Sequence, residues 1–247
     1  MINVFVLGYN GANYFEEWHS KVNFSNDIKF HFIDNGNQNL SNYFSNLLIH
    51  KTQTNIFCAG GWNIICDIGF DYMKLDKIII AQEDGKFDEE VLKKIYENTN
   101  GNNICGAYNN NWEFSLFGIH SETFNLVGRF DENFLLGGDE DNDYKHRCKI
   151  NNITISSIGV PSTNNISITG KIRLPVIKRN GEYLHSKWGK TDNSKNRIYE
   201  YDLPYNGEHP LVITNDYRKH FDLSDNVETY MSEVEYNRFK QLRNGNG

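Results

Sequence analysis

The sequence predicts an α/β fold with a mostly parallel central sheet flanked by helices. Three observations carry that prediction. β-rich apolar runs alternate with stretches of helical periodicity, the order that builds parallel sheets from strand–helix–strand crossovers. The runs Ile2–Leu7 and Lys77–Ala81 are mostly apolar, as strands covered on both faces are. Polar residues follow the strands: Asn10, Asp34 and Asp84 each lie at or just past a carboxyl end, where open α/β sheets bind their ligands.

In chain order, Ile2–Leu7 is the first strand and is broken by Gly8-Tyr9-Asn10-Gly11. Tyr14, Phe15, Trp18 and Val22 follow at helical spacing, with Glu16 and Glu17 in the first turns. Ile28–Ile33 alternates Phe30 and Phe32 with Lys29 and His31, then enters the turn-rich Asp34-Asn35-Gly36-Asn37. Leu40–Ile49 reads as an amphipathic segment, Asn55–Phe57 as a short strand and Trp62–Met73 as a helix. Lys77–Ala81 is a further buried strand, ending in Gln82-Glu83-Asp84-Gly85. Asp88 caps a helix that runs to Glu97. Beyond Asn98 the pieces shorten: strands at Ile104–Tyr108 and Glu113–Ile119, a helix at Ser121–Val127 capped by Ser121, and a closing strand at Ile153–Val160. Residues 162–203 read as polar and irregular. One domain therefore spans 1–206, followed by an extension at 207–247 that is helical from 224.

A 38% hydrophobic content with 14 Tyr and 16 Phe marks a globular chain, long enough at 247 residues to bury a sizeable core. The net charge of −7, without a Lys or Arg run, argues against nucleic acid as a partner. Cys58, Cys66, Cys105 and Cys148 show no CxxC spacing, so neither a zinc ribbon nor a disulfide framework is expected. They read as buried reduced thiols of a cytoplasmic protein. No basic-then-apolar leader and no transmembrane run is seen. Association with membranes is then expected to be peripheral, and with itself as a dimer.

Gly138-Asp139-Glu140-Asp141-Asn142-Asp143 puts four carboxylates in five positions, behind Phe134-Leu135-Leu136 and a glycine pair. Alone, such a cluster is a solvated face. The glycines, however, let the backbone approach a ligand, and a carboxylate among carboxylates has a raised pKa, which suits a base that deprotonates a hydroxyl. Helix character is expected from Tyr144 to Lys149, with Arg147 one turn beyond Asp143 and placed to pair with it. Trp18 and Trp62 read as core. Trp112 and Trp188 sit in polar stretches, where an aromatic face suits a sugar's C–H surface.

Taken together, these motifs resemble the GT-A fold nucleotide-sugar glycosyltransferases, and among them the inverting glycosyltransferase family 2, over roughly Ile2 to Asn206. Gly8-Tyr9-Asn10 resembles the family's first turn, and Phe32-Ile33-Asp34-Asn35-Gly36 its second-strand motif, whose Asp reads uracil. Gly60-Gly61-Trp62-Asn63 resembles the helix before the metal strand. Ile78–Asp84 stands at the DxD motif, with Gln82 in place of the first Asp. Gly128–Phe134 resembles the acceptor-side segment, and Glu140-Asp141-x-Asp143 the Glu-Asp motif. Lys187-Trp188-Gly189 is similar to an element on a loop that folds over the nucleotide sugar.

The resemblance implies a hexosyltransferase-like, inverting enzyme that moves a sugar from a UDP-sugar to a hydroxyl of a glycan, lipid-linked or protein acceptor. Tyr9, Asn10, Asp34, Asn63, Glu83 and Lys187 would hold the nucleotide. Asp84 and His185 would hold a divalent metal, Mn²⁺ or Mg²⁺. Asp141 would be the base and Glu140 its neighbour at the acceptor, with Asp139, Glu140 and Asp143 the alternatives for the base. Trp112, Trp188 and Asp143 would face sugar and acceptor. Two other readings stand beside this one. Gln82 favours a degenerate GT-A domain that binds carbohydrate or protein. A sugar-nucleotide pyrophosphorylase would open on a basic, glycine-rich loop, which Gly8-Tyr9-Asn10-Gly11 is not.

Overall fold

The computed structural model describes residues 1–9, 11–35, 48–51, 56–108, 113–134, 136–160, 178–185 and 187–188. Seven strands, β1 (Ile2–Gly8), β2 (Ile28–Asp34), β3 (Leu48–Lys51), β4 (Lys77–Gln82), β5 (Asn103–Gly106), β6 (Leu116–His120) and β7 (Thr154–Ser157), form one sheet in the order β3-β2-β1-β4-β6-β5-β7. β6 alone runs against its neighbours; every other pairing is parallel. The helices are α1 (Ala12–His19), α2 (Phe57–Cys66), α3 (Glu89–Asn98), α4 (Ser121–Val127) and α5 (Glu140–Ile150). The predicted α/β architecture is the observed one.

β1 shows why the sheet has helices on both sides. Its side chains alternate with period two, and both sets are buried. Phe5 and Leu7 join Trp62 of α2, Phe124 of α4 and Tyr144 of α5 on one face. Val4 and Val6 join Phe15 of α1 and Leu92 of α3 on the other. Each such apolar side chain contributes ~1.5–3 kcal/mol by leaving water, so the two layers account for most of the fold's cohesion. Among the described residues no helix is long and apolar enough to cross a membrane.

Several local expectations change. Asn55–Phe57 is not a strand where it is described: Ile56 caps α2, and Phe57 opens it at φ 61. That unusual backbone is held by a tertiary grip. The Asn35 carboxamide donates to the Phe57 carbonyl at 3.1 Å and accepts from Ile56 N–H at 2.9 Å. The helix expected over Trp62–Met73 starts earlier and passes at Asp67 into a π-helical turn ending at Tyr72, with the Asp67 carboxylate paired to the Arg129 guanidinium. Residues Glu113–Ser115 make a 3₁₀ turn before β6 begins, and β5 and β7 are shorter than expected. Asp88 caps α3 as predicted, accepting from Val91 N–H. For α4 the cap is His120 instead of Ser121, its Nδ1 accepting from Glu122 N–H at 3.2 Å.

The helix that follows the acidic cluster starts at Glu140, four residues before the expected Tyr144. Its carboxylates therefore lie in a first turn, where the helix dipole favours them. Residues 178–185, inside the stretch read as irregular, are helical. Leu48 and Ile49, assigned to the amphipathic segment, belong to β3. The rest of that segment, Asn10, Trp112 and the extension at 207–247 lie outside the described residues. None of the four cysteines is in a disulfide; three are buried and Cys58 is half-buried.

One buried polar cluster makes stability depend on pH. His31 of β2 stacks on Phe5, with its Nε2 3.0 Å from Asn3 Oδ1 and its Nδ1 3.3 Å from His50 Nε2 on β3. Burial, helped by His50 and Lys29, lowers its pKa from 6.5 to about 4, and burial lowers that of His50 too. The neutral ring is the folded form, so the stabilisation is complete above pH 6.5 and is lost as pH falls through about 4. For His31 this amounts to ~3 kcal/mol. Thermal melts from pH 7 to pH 4 should show a falling midpoint that is shallower in His31→Gln. Equal slopes in the two proteins would refute the assignment.

Candidate functional site

β1, β2 and β4 end at one edge of the sheet. Asp34, the last residue of β2, is fully buried and in register with Gly8 of β1. β4 leads into a tight turn over Gln82–Gly85, closed by Gly85 N–H donating to the Gln82 carbonyl at 3.1 Å. Glu83 folds back from this turn over the β1–α1 connection and accepts from the backbone N–H of Gly11 at 3.1 Å, with the backbone of Tyr9 also bonding it. A Cβ on Gly11 would lie 2.4 Å from that carboxylate, and one on Gly8 2.8 Å from it. The two glycines are the space the carboxylate occupies. Burial first, then the nearby Asp84 and Asp34, push the Glu83 pKa up to about 8. Asp84 lies beside Tyr108, just past β5, whose phenol is raised to about 12 by burial and by Asp84.

α2 links this edge to the acidic cluster. Asn35, next to Asp34, grips the start of α2, and the following residue, Cys58, bonds through its thiol to Glu140. Glu140 is 5% exposed and also accepts from Gly138 N–H. Burial, then Asp141, raise its pKa to about 7. The loop before it has four consecutive residues at positive φ: Leu136 (57), Gly137 (111), Gly138 (111) and Asp139 (71). Glycine is needed at the two central positions, while Leu136 and Asp139 are held in the left-handed region by their surroundings. Asp139 Oδ1 accepts from Asn142 Nδ2 at 2.9 Å. Asp141 is the more open carboxylate, with 23% of its side chain exposed and Lys145 Nζ 3.8 Å away.

Behind α5 lies a buried network of four charges. Asp143 Oδ2 accepts from Arg147 Nε at 3.0 Å, the i+4 pair expected. Its Oδ1 takes Lys187 Nζ at 2.7 Å and Trp188 Nε1–H at 2.8 Å. Lys187 also pairs with Asp131 Oδ2 at 2.7 Å, to which the Tyr183 hydroxyl donates at 2.8 Å. Lys187, Asp131 and Asp143 are wholly buried.

This geometry redistributes the expected site. Asp34, Glu83, Asp84 and Tyr9 gather at the β1–β2–β4 edge, and Glu140 and Asp141 at the start of α5. Lys187, expected at the nucleotide, is instead the core of the ion network. Trp188 is buried against Phe134, Leu184 and the edge of His146, so it offers no open face to a sugar. Asp143 is engaged by Arg147, Lys187 and Trp188 in place of an acceptor. The Asn63 carboxamide donates to the Phe130 carbonyl and to Glu132 Oε1, both at 2.9 Å, and accepts from Phe130 N–H at 2.8 Å. It fastens α2 to the 128–134 segment instead of reaching a nucleotide. The cause is the same at all four residues: a buried polar group is satisfied by the protein's own donors and acceptors and so turns away from a ligand. His185 lies in the helical residues 178–185, and among the described residues no three His, Cys, Asp or Glu side chains form a metal cage.

The residues passed over by sequence reasoning are Asn35, Cys58 and Asp131. Asn35 and Asp131 stand inside motifs already singled out, but their roles depend on partners 21 to 56 positions away. No signal in the sequence marked Cys58.

No protein-family profile and no curated protein matches this chain. Among solved structures it is similar to an active-site mutant of LgtC (11% identity, TM-score 0.41, 63% of this chain and 72% of that one). It is similar also to the galactosyltransferase LgtC in complex with donor and acceptor sugar analogs (12%, TM-score 0.37, 63% and 73%). A third is a protein from Desulfovibrio desulfuricans G20 assigned as a nucleotide-diphospho-sugar transferase (9%, TM-score 0.44, 73% and 99%). At these values the likeness does not carry an activity from one protein to another.

Proposed function

We propose that the chain is a glycosyltransferase that moves a sugar from a nucleotide sugar, with UDP as leaving group, to an acceptor hydroxyl with inversion. The supporting observation is the unbroken contact path along the sheet's carboxyl edge, from Asp34 through Asn35, Ile56–Phe57 and Cys58 to Glu140 and Asp141. It sets two groups of carboxylates on either side of the start of α2, where an open α/β sheet takes its ligand. On the donor side, Asp34 accepts from the uracil N–H, so that a base lacking that donor loses the contact.

The donor side also fits a divalent cation. Asp84 and Asp34 lie near enough to Glu83 to add to burial, the larger cause, in raising its pKa to about 8, and a cation beside the three carboxyl groups would relieve that repulsion. Mn²⁺ or Mg²⁺ bound by one or two carboxylates and substrate phosphates needs no closed protein cage, and Asp84 is the residue to hold it. Bound there, the ion would neutralise charge on the departing diphosphate. Glu83 braces the first turn around the nucleotide. On the acceptor side Asp141 takes the hydroxyl proton as the oxygen attacks the anomeric carbon from the face opposite the diphosphate. A single displacement inverts that centre. Glu140, buried behind Asp141, shapes the acceptor pocket. The acceptor is a glycan, a lipid-linked sugar or a protein, met in the cytoplasm.

Calorimetric titration of UDP with and without Mn²⁺, on the wild type and on Asp84→Ala, tests the donor side. Expected is Mn²⁺-dependent binding weakened about tenfold or more by the substitution, the loss of one charge-assisted contact. Equal affinities with and without the metal would remove the cation from the proposal. Gln82, at the position of the first DxD carboxylate, favours one other reading, a sugar-binding module. Mn²⁺-dependent binding without turnover of any nucleotide sugar would select it.

A further inference from the structure

The loop Leu136–Asp139 cannot hold its own shape. Two of its four left-handed residues carry side chains, and such a backbone persists only where the surroundings over-determine it. The helical residues 178–185, with Lys187 and Trp188, supply those surroundings. Arg179 donates to the Asn133 carbonyl and, at 2.9 Å, to Asn133 Oδ1. Asn180 Nδ2 donates to the Gly138 carbonyl at 3.1 Å, inside the loop. Tyr183 and Lys187 hold Asp131, and Lys187 and Trp188 hold Asp143. Phe134, Leu184 and Trp188 close a small apolar cluster beneath. The contacts thus fall before the loop, within it and after it. Glu140 and Asp141 sit between the last two anchor points, Gly138 and Asp143.

We infer that residues 178–185, with Lys187 and Trp188, form a positioning clamp that sets the direction of Glu140 and Asp141 through the strained loop, and that Lys187 and Trp188 are positioning residues rather than donor contacts. The use of that direction rests on the glycosyltransferase reading above; the clamp itself does not.

Trp188→Phe is the test, because it keeps an aromatic ring in the buried cluster and removes the N–H to Asp143, together with part of the indole's volume. Asn180→Leu keeps the side chain's size at the loop and removes the carboxamide that donates to Gly138 and accepts from Arg179. Both variants are expected to lower kcat about tenfold, the worth of one hydrogen bond to a constrained or charged partner, with KM for the nucleotide sugar unchanged. Both should also speed alkylation of half-buried Cys58 by iodoacetamide severalfold, since its partner Glu140 moves with α5. A raised KM with unchanged kcat would make Trp188 a donor contact and overturn the clamp. Wild-type Cys58 rates in both variants would overturn it as well. If the wild type turns over no nucleotide sugar, the glycosyltransferase reading falls, and the Cys58 rates still decide the clamp.

Discussion

Asp141→Asn is expected to reduce transfer by about 10²- to 10⁴-fold while nucleotide-sugar binding stays near the wild-type level. The amide matches the carboxylate in size and cannot take a proton. Asp141 lies at the opening of the acidic turn, partly exposed, while Glu140 is buried and accepts from Gly138 N–H. Access therefore favours Asp141 as the group that meets a hydroxyl. The competing assignment has its own signature. Glu140 titrates at about 7, so a base at that position would be active above pH 7 and silenced as pH falls below it. Should Asp141→Asn remain active while Glu140→Gln is dead and the wild-type rate rises through pH 7, the base is Glu140.

Lys187→Met should cost about 3–5 kcal/mol of stability, the usual result of stripping one partner from a buried ion pair. For a chain of this size that lowers the melting midpoint by about 10 °C. The reason is the pair of carboxylates left behind. Asp131 and Asp143 are wholly buried and share the Lys187 ammonium, and of the two carboxylates Arg147 pairs with Asp143. The exposed pairs Lys21–Glu17 and Lys94–Glu90 contrast with it, since water screens them and their removal should change stability far less. Urea unfolding of the three variants side by side measures the difference. A loss for Lys187→Met no larger than for the exposed pairs would show that the network is not a stabilising core.

The elements legible in the sequence are those whose signal is local. β1 and β4 announce themselves by apolar runs, and α3 by Asp88 three residues before the amide it caps. The placing of Asp34 and Asp84 at strand ends is legible from position alone, because parallel strands all deliver their last residues to one edge. The Asp143–Arg147 pair was found from helical spacing. The elements that escaped depend on distant partners. Phe57 is helical at φ 61 only because Asn35 grips its peptide, and nothing in Asn55-Ile56-Phe57 encodes that.

What the sequence by itself determined is therefore the layered α/β architecture and the sheet edge that carries Asp34 and Asp84. Periodicity and strand ends are properties of neighbours in the chain. Only the tertiary structure decided what each polar side chain does there. It turned Lys187, Trp188, Asp143 and Asn63 inward, where a buried donor or acceptor must find a partner, and it left Asp141 toward solvent. It also curled Glu83 into the gap of two glycines. The acidic stretch that looked like one cluster is thereby divided, with Asp143 buried in the ion network and Asp141 partly exposed beside Lys145.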